Sequence, residues 1–199
     1  MQIFTLVTGV IYIVLEVRQK NFMWVVGILT SLAAMWVFFR QGLYASFCLN
    51  LYYLITSFIG LWQWGRMHGK RAETDVPGED VIYLNPLTWR TAIVSLTVFV
   101  AGTVALSFSM KWLHTAGILA ENPMSLLDSA VTVLSAIATW WLVRCYLQQW
   151  WLWIVADSLS VALCLSQNMW WMAALYLAYV VAAVYGLRYW KKHSRPLTE

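Results

Sequence analysis

Long apolar runs follow one another along this chain, and they constrain its fold more than any other feature. A helix that crosses a bilayer needs roughly 17 to 25 mostly apolar residues. Seven such runs lie at about 2–17, 22–39, 43–64, 90–112, 125–143, 150–166 and 170–190. They are too long for the strands of a membrane β-barrel, and they lack the alternation of such strands. The sequence therefore predicts an all-α integral membrane protein with seven transmembrane helices.

The composition agrees with a chain that is solvated by lipid. Hydrophobic residues make up 61% of it and charged residues only 11%, against about 25% charged residues in soluble domains. No Lys/Arg cluster with interleaved aromatics indicates a nucleic acid partner, and no cysteine or histidine spacing indicates a metal site. We therefore expect no catalytic residues, metal or cofactor. The lipid bilayer and a small molecule are the expected partners.

The basic residues predict how the helices are oriented. Arg40 and Lys111 fall on one side of the predicted membrane. The other eleven fall on the opposite side: Arg18, Lys20, Arg66, Lys70, Arg71, Arg90, Arg144, Arg188, Lys191, Lys192 and Arg195. Because Lys and Arg concentrate in cytoplasmic loops, the second side is expected to be cytoplasmic. The sequence thus predicts an N-terminus outside the cell membrane and a cytoplasmic C-terminus.

An internal repeat relates the two ends of the chain. A shift of 126 residues, without gaps, places the first three apolar runs on the last three. Among the matches are Arg18 with Arg144, Trp24 with Trp150, Gly60 with Gly186, and Trp64 with Trp190. The predicted arrangement is a 3+1+3 parallel repeat. Two similar halves around a shared cavity are typical of transporters, although a duplication without a transport role stays open.

This repeat sets the predicted domain boundaries. The first three-helix repeat covers 1–64, and a polar cytoplasmic loop covers 65–89. The remaining segments are a linker helix with an external loop at 90–124, the second three-helix repeat at 125–190, and a cytoplasmic tail at 191–199.

One helix face in the sixth run carries the strongest candidate binding residues. Trp150, Trp153 and Asp157 are spaced i, i+3, i+7, which places two indoles and one carboxylate on the same face. Ionisable residues at membrane depth are costly and indicate function, and indole faces attract cations. We therefore predict a flat, cationic, aromatic ligand. Trp150 and Trp151 could instead be interface anchors, and Asp128 could simply cap the fifth helix.

A second polar stripe lies on the third run, where Asn50 and Tyr53 share a face. Their repeat equivalents are Tyr176 and Tyr179. These four side chains could bind a ligand or could hydrogen-bond between helices, and the sequence leaves both open.

The repeat also differs between its halves at two candidate positions. Trp153 aligns with Gly27, and Asp157 aligns with Ser31. We therefore expect one half to supply bulk and charge and the other half to supply space. Under that hypothesis a Gly27→Trp substitution abolishes binding.

Two segments, "LDSAVTVLSAIATWWLVRCYLQQWWLWIVAD" (127–157) and "GLYASFCLNLYYLITSFIGLWQW" (42–64), resemble Pnu-type bacterial vitamin transporters. The first segment matches the W-x-x-W-x-x-x-[N/D] motif of that family at Trp150, Trp153 and Asp157. The resemblance implies a full-length SWEET-like fold and facilitated diffusion of a vitamin, with trapping by cytoplasmic phosphorylation. Since the nicotinamide riboside branch typically ends the motif in Asn, Asp157 favours the thiamine branch, PnuT. Nicotinamide riboside is the alternative substrate.

Two other classes compete with an uptake transporter. A membrane enzyme would need a nucleophile, base or metal cluster at membrane depth, and Asp157 stands there without a partner histidine. A vitamin-binding subunit of a larger transporter would not need two similar halves. The sequence leaves homo-oligomer formation open.

Overall fold

A computed structural model describes residues 11–40, 44–69, 82–118 and 124–196. Helical residues 11–17 form α1. The other helices are α2 (Phe22–Arg40), α3 (Tyr44–Gly69), α4 (Trp89–Thr115), α5 (Ser125–Val143), α6 (Gln149–Ser166) and α7 (Trp170–His193). Two short strands are β1 (Ile82–Leu84) and β2 (Ser194–Pro196). The chain is thus helical in nearly all of its described part, as the apolar runs predict.

Four of the described helices, α4 to α7, are long and apolar enough to cross a membrane. The apolar stretch of α2, Phe22–Val37, is shorter. The seven-span count stays a prediction, because the first predicted span begins among residues outside the described ranges. Lys70, Arg71, most of the predicted loop at 65–89 and the end of the predicted tail also lie outside them.

The chain divides into two compact units. Unit 1 comprises Met1–Leu84, Val143–Cys145 and Arg188–Glu199, and unit 2 comprises Asn85–Leu142 and Tyr146–Leu187. Unit 1 therefore contains the described parts of α1 to α3 together with the ends of α5 and α7. Unit 2 contains α4, α6 and most of α5 and α7.

The ends of α1 and α5 are built alike. Gln19 and Cys145, which are repeat equivalents, both adopt the left-handed conformation, with φ of 50° and 57°. The next N–H then bonds the carbonyl five residues back, from Lys20 to Leu15 at 2.9 Å and from Tyr146 to Trp141 at 3.0 Å. This is the Schellman ending of a helix, which satisfies carbonyls that lack helical partners. The repeat therefore extends to backbone geometry.

A tryptophan packs on a glycine at equivalent helix crossings in the two units. In unit 1 a Cβ on Gly60 would lie 2.4 Å from Cε2 of Trp24, and in unit 2 a Cβ on Gly186 would lie 2.4 Å from Cη2 of Trp150. No side chain larger than hydrogen fits at either crossing without displacing the indole. Small residues of this kind let membrane helices approach closely.

Two buried indoles tie helix ends together within unit 1. Nε1 of Trp64 donates to the Val143 carbonyl at 3.1 Å, and Nε1 of Trp190 donates to the Val17 carbonyl at 2.9 Å. Both indoles are fully buried. The two bonds are repeat equivalents of each other, and both acceptors lie in last helical turns, where carbonyls lack helical partners.

A two-stranded parallel sheet, which the all-α prediction omitted, also belongs to unit 1. β1 pairs with β2 in the register Ile82 to Ser194 and Leu84 to Pro196. The Gln19 side-chain amide accepts from the Tyr83 N–H and donates to the Tyr83 carbonyl, both at 2.9 Å. The sequence did not indicate this sheet because its strands are three residues long and far apart in the chain.

The linker helix α4 contacts α5 through small and hydroxyl side chains. Its buried residues are Thr103 and Ser107. A Cβ on Gly102 would lie 3.2 Å from Cγ1 of Val133, and Nε1 of Trp141 donates to Oγ of Ser95 at 3.0 Å. The remaining surface of α4 is apolar and largely exposed, which suits a helix that faces lipid.

Candidate substrate-binding site

Asp157 lies near the middle of α6 and is buried, with 8% of its surface exposed. It makes no hydrogen bond or ion pair with a residue that the structure describes. Nor does it belong to a metal site, since no three His, Cys, Asp or Glu side chains in the described ranges could hold an ion. A buried, unpaired carboxylate at this depth is costly and therefore points to a ligand of opposite charge.

Two tyrosines of α7 are close enough to this carboxylate to interact with it within unit 2. Tyr176 and Tyr179 both interact electrostatically with Asp157. Their ring centroids lie 6.1 Å apart and the ring planes meet at 87°, an edge-to-face arrangement that aromatic pairs prefer. The structure therefore brings together three predicted site residues from two helices.

Trp153 presents a polar group that the protein does not satisfy. Its indole N–H is buried and has no hydrogen-bond partner in the described part of the chain. Most buried donors in proteins are paired, so such an N–H is available to a polar atom of a ligand. Its repeat equivalent is Gly27, and the group is therefore specific to the second repeat.

Trp150 has a packing role that the sequence did not reveal. It is 2% exposed, and its ring lies against Gly186, as the ring of Trp24 lies against Gly60. Because Trp24 packs in the same way, helix packing explains the position of Trp150 without a ligand. Trp151 is 58% exposed, which suits the interpretation as a lipid anchor. Binding of substrate by Trp150 stays a prediction.

The space predicted beside Gly27 is occupied by side chains of unit 1. A Cβ at Gly27 would lie 2.8 Å from Oγ of Ser57 on α3 and 3.5 Å from Cε2 of Tyr12 on α1. A Gly27→Trp substitution would therefore disturb helix packing whether or not it blocks a ligand. The hypothesis that Gly27 backs the substrate stays a prediction, and that substitution cannot decide it.

The other candidates on α2 and α3 also lie in unit 1. Ser31 is buried, while Asn50 and Tyr53 are half-buried. The rings of Tyr52 and Tyr53 lie 5.7 Å apart. That these residues line one cavity with those of α6 and α7 stays a prediction.

Asp128 is a residue whose surroundings the sequence did not predict. Because α5 begins at Ser125, Asp128 lies in its first turn, where the helix dipole favours a carboxylate, and not at the capping position. Tyr176 interacts electrostatically with Asp128 as well as with Asp157. A signal was present, since Asp128, Thr132 and Ser135 form a polar stripe at i, i+4, i+7 on α5.

Residues 1–192 match the family of nicotinamide mononucleotide transporters. The chain belongs to this family. It is therefore a multi-pass membrane protein of a vitamin-transporter family, and the resemblance to Pnu-type transporters is confirmed.

Individual relatives agree with this family. The chain is 28% identical over 209 residues to the nicotinamide riboside transporter PnuC of Neisseria mucosa, covering 94% of this chain and 72% of the relative. It is 25% identical over 171 residues to PnuC of Escherichia coli K12, covering 80% of this chain and 71% of the relative. A crystal structure of the vitamin B3 transporter PnuC superimposes with a TM-score of 0.65 at 28% identity, covering 94% of this chain and 79% of the other.

Proposed function

We propose that this chain takes up nicotinamide riboside, whose pyridinium ring is a flat aromatic cation. Asp157 would supply the counter-charge, and the indole N–H of Trp153 would bind a polar atom of the substrate. The names of the related proteins from Neisseria mucosa and Escherichia coli support this substrate over thiamine.

The observation that carries the proposal is the unpaired carboxylate of Asp157. It is 8% exposed in a helix that is long and apolar enough to span a membrane. Burial of a charge without a partner is unfavourable by several kcal/mol or more. A bound cation would remove that penalty, so the site is suited to bind one and not a neutral sugar or an anion.

Thiamine is the second candidate, and the identity of Asp157 favours it. The Pnu-type motif that the chain resembles allows Asn or Asp at this position. A full negative charge suits any cationic aromatic vitamin, and thiamine carries such a ring. The aminopyrimidine of thiamine also offers donors to a carboxylate.

The riboside is a better candidate than its phosphorylated form. In the described helices the Lys and Arg residues stand near the ends, such as Arg66 in α3 and Lys191 in α7. A phosphate group at the depth of Asp157 would have no basic side chain beside it and would face a carboxylate. We therefore expect nicotinamide mononucleotide to be excluded.

We infer that transport is facilitated diffusion between two similar halves in a 3+1+3, SWEET-like arrangement. Equivalent Schellman endings, Trp–Gly crossings and indole-to-carbonyl bonds support the repeat. The distribution of Lys and Arg supports a periplasmic N-terminus and a cytoplasmic C-terminus in the inner membrane, with phosphorylation trapping the vitamin inside. Reporter fusions at both ends test the orientation.

Counterflow in liposomes that contain only this protein tests the function. Labelled nicotinamide riboside should exchange into liposomes preloaded with unlabelled riboside, with or without a pH gradient. Thiamine and nicotinamide mononucleotide should exchange at least tenfold more slowly. Asp157→Leu should lower the affinity for the riboside by roughly tenfold or more, because the polar, charge-assisted contact is lost.

Ser158→Ala is the matched control, since Ser158 is exposed and its hydroxyl bonds the Ile154 carbonyl of the same helix. This variant should transport like the wild type. Faster exchange of thiamine than of the riboside would assign the chain to the second candidate. Exchange of neither vitamin would overturn the proposed function, and strict dependence on a proton gradient would overturn uniport.

A further inference from the structure

Asp128 stands closer to the end of its helix than Asp157 does. Asp128 is the fourth residue of α5, and Asp157 stands nine residues before the end of α6 at Ser166. At 1.5 Å per residue these positions are about 5 Å and 14 Å from the corresponding helix ends. In the proposed orientation both of these ends face the periplasm, where uptake begins.

Tyr176 of α7 stands at a depth between these two positions within unit 2. It is the seventh residue of α7, a helix that starts at Trp170 on the same side. Tyr176 interacts electrostatically with Asp157 and Asp128, and also with Cys164 and Tyr179. Both carboxylates therefore act electrostatically on the Tyr176 hydroxyl.

Polar side chains of α5 and α7 stand at positions between these depths. Below Asp128 the α5 stripe continues with Thr132, which is half-buried and donates to the Asp128 carbonyl at 2.9 Å. Tyr176 and Tyr179 follow on α7, and Asp157 ends the series with a buried carboxylate that has no hydrogen bond from a described residue.

We propose that Asp128 is an outer subsite that receives the cationic ring of the vitamin before it reaches Asp157. This proposal rests on the proposed function, and it concerns the entry route. A cation that enters from the periplasm meets the carboxylate of Asp128, passes the hydroxyl of Tyr176, and binds beside Asp157. The outer carboxylate raises the local concentration of cations and hence the rate of association. It does not contact the ring in the final bound state.

The experiment compares Asp128→Asn with the wild type in liposomes. Initial uptake is measured at riboside concentrations far below saturation and at low ionic strength, and affinity is measured separately by tryptophan fluorescence of the purified protein. We expect uptake to fall roughly five- to tenfold because electrostatic steering is lost, while affinity stays within twofold. Asp128→Glu should restore uptake. Ser158→Ala is the neutral control, since Ser158 is exposed and bonds only the Ile154 carbonyl of its own helix, and it should transport like the wild type.

Two further measurements separate a lost charge from a damaged fold. The dihydro form of nicotinamide riboside is neutral, so its uptake should be the same in Asp128→Asn and in the wild type. Added salt should slow wild-type uptake of the cation by screening, whereas the variant should respond little. If the wild type does not transport the neutral dihydro form, the salt comparison alone distinguishes a lost charge from a damaged fold.

Equal uptake of the cation by Asp128→Asn and the wild type at low salt would overturn the subsite. Equal loss for the charged and neutral substrates would overturn it too, since that result indicates a structural defect. Failure of the proposed function is visible in the wild type, which would then carry no riboside. If the wild type does carry the riboside, a failure of the subsite proposal is visible only in the variants.

Discussion

Single residues of the second repeat separate into those that the fold explains and those that it does not. Trp150 packs on Gly186 as Trp24 packs on Gly60, so its position follows from the helix crossing. Trp153 and Asp157 have Gly27 and Ser31 as their repeat equivalents. The buried indole N–H of Trp153 and the buried carboxylate of Asp157 have no hydrogen-bond partner in the described part of the protein. These two residues are therefore the strongest candidates for contact with a ligand.

Trp153→Phe tests this at the residue scale. The change removes the indole N–H and keeps an aromatic ring. Affinity for nicotinamide riboside should fall about five- to tenfold, which corresponds to about 1 kcal/mol for one hydrogen bond. Calorimetric titration of the purified protein measures it.

Trp24→Phe is the control for the lost volume. The Trp24 indole N–H is also buried without a partner among the described residues, but it lies in unit 1, at the position equivalent to Trp150. This variant should keep its affinity for the riboside. An affinity of Trp153→Phe within twofold of the wild type would contradict a role for that N–H in binding.

At the scale of elements, the same contact recurs where α2 meets α3 and where α6 meets α7. The glycine of one helix allows the tryptophan of the other to lie directly on its backbone. Close contact of this kind stabilises membrane helix pairs by packing. The α6–α7 crossing also fixes Asp157 relative to Tyr176 and Tyr179, since the carboxylate stands two turns along α6 from Trp150.

Gly186→Ala and Gly60→Ala test the two crossings as a matched pair. In each variant the added methyl displaces an indole, and overpacking should cost about 1–3 kcal/mol. Thermal unfolding should therefore shift down by several degrees in both. Only Gly186→Ala should weaken riboside binding, by roughly tenfold, because only that crossing positions the candidate site. Equal affinities in the two variants would show that the α6–α7 crossing does not position the site.

At the scale of the whole molecule, the helix ends of the two repeats are joined reciprocally inside unit 1. Trp64 of the first repeat donates to Val143 of the second, and Trp190 of the second donates to Val17 of the first. A pair of equivalent bonds that exchange partners is what a two-fold relation produces. β1 and β2 add a further connection between a loop and the C-terminal segment.

Trp64→Phe and Trp190→Phe should each destabilise the protein to the same degree. Each leaves a helix-end carbonyl without its indole donor, at a cost of about 1–2 kcal/mol. Thermal unfolding in detergent measures this, with Trp171→Phe as control because Trp171 is 90% exposed. A melting temperature of either variant equal to that of Trp171→Phe would show that the ties do not contribute to stability.

Much of the fold could be predicted because a membrane helix can be recognised from the apolar residues of its own segment. The predicted runs at 125–143 and 150–166 match the observed α5 and α6 to within a residue. Side-chain spacing along α6 placed Trp153 and Asp157 on one face, since helical periodicity alone determines that. The interaction of Asp128 with Tyr176 could not be predicted, because it depends on how α5 and α7 pack.

The sequence by itself determined the helices, their apolar surroundings, the repeat of 126 residues and membership of a vitamin-transporter family. These depend on composition and on spacing along one chain segment. Only the tertiary structure decided that Trp150 lies on Gly186, that Tyr176 interacts electrostatically with both Asp128 and Asp157, and that β1 pairs with β2. Such contacts depend on the crossing and register of elements far apart in sequence. Many weak packing interactions together determine that crossing and register, and no local sequence pattern encodes them.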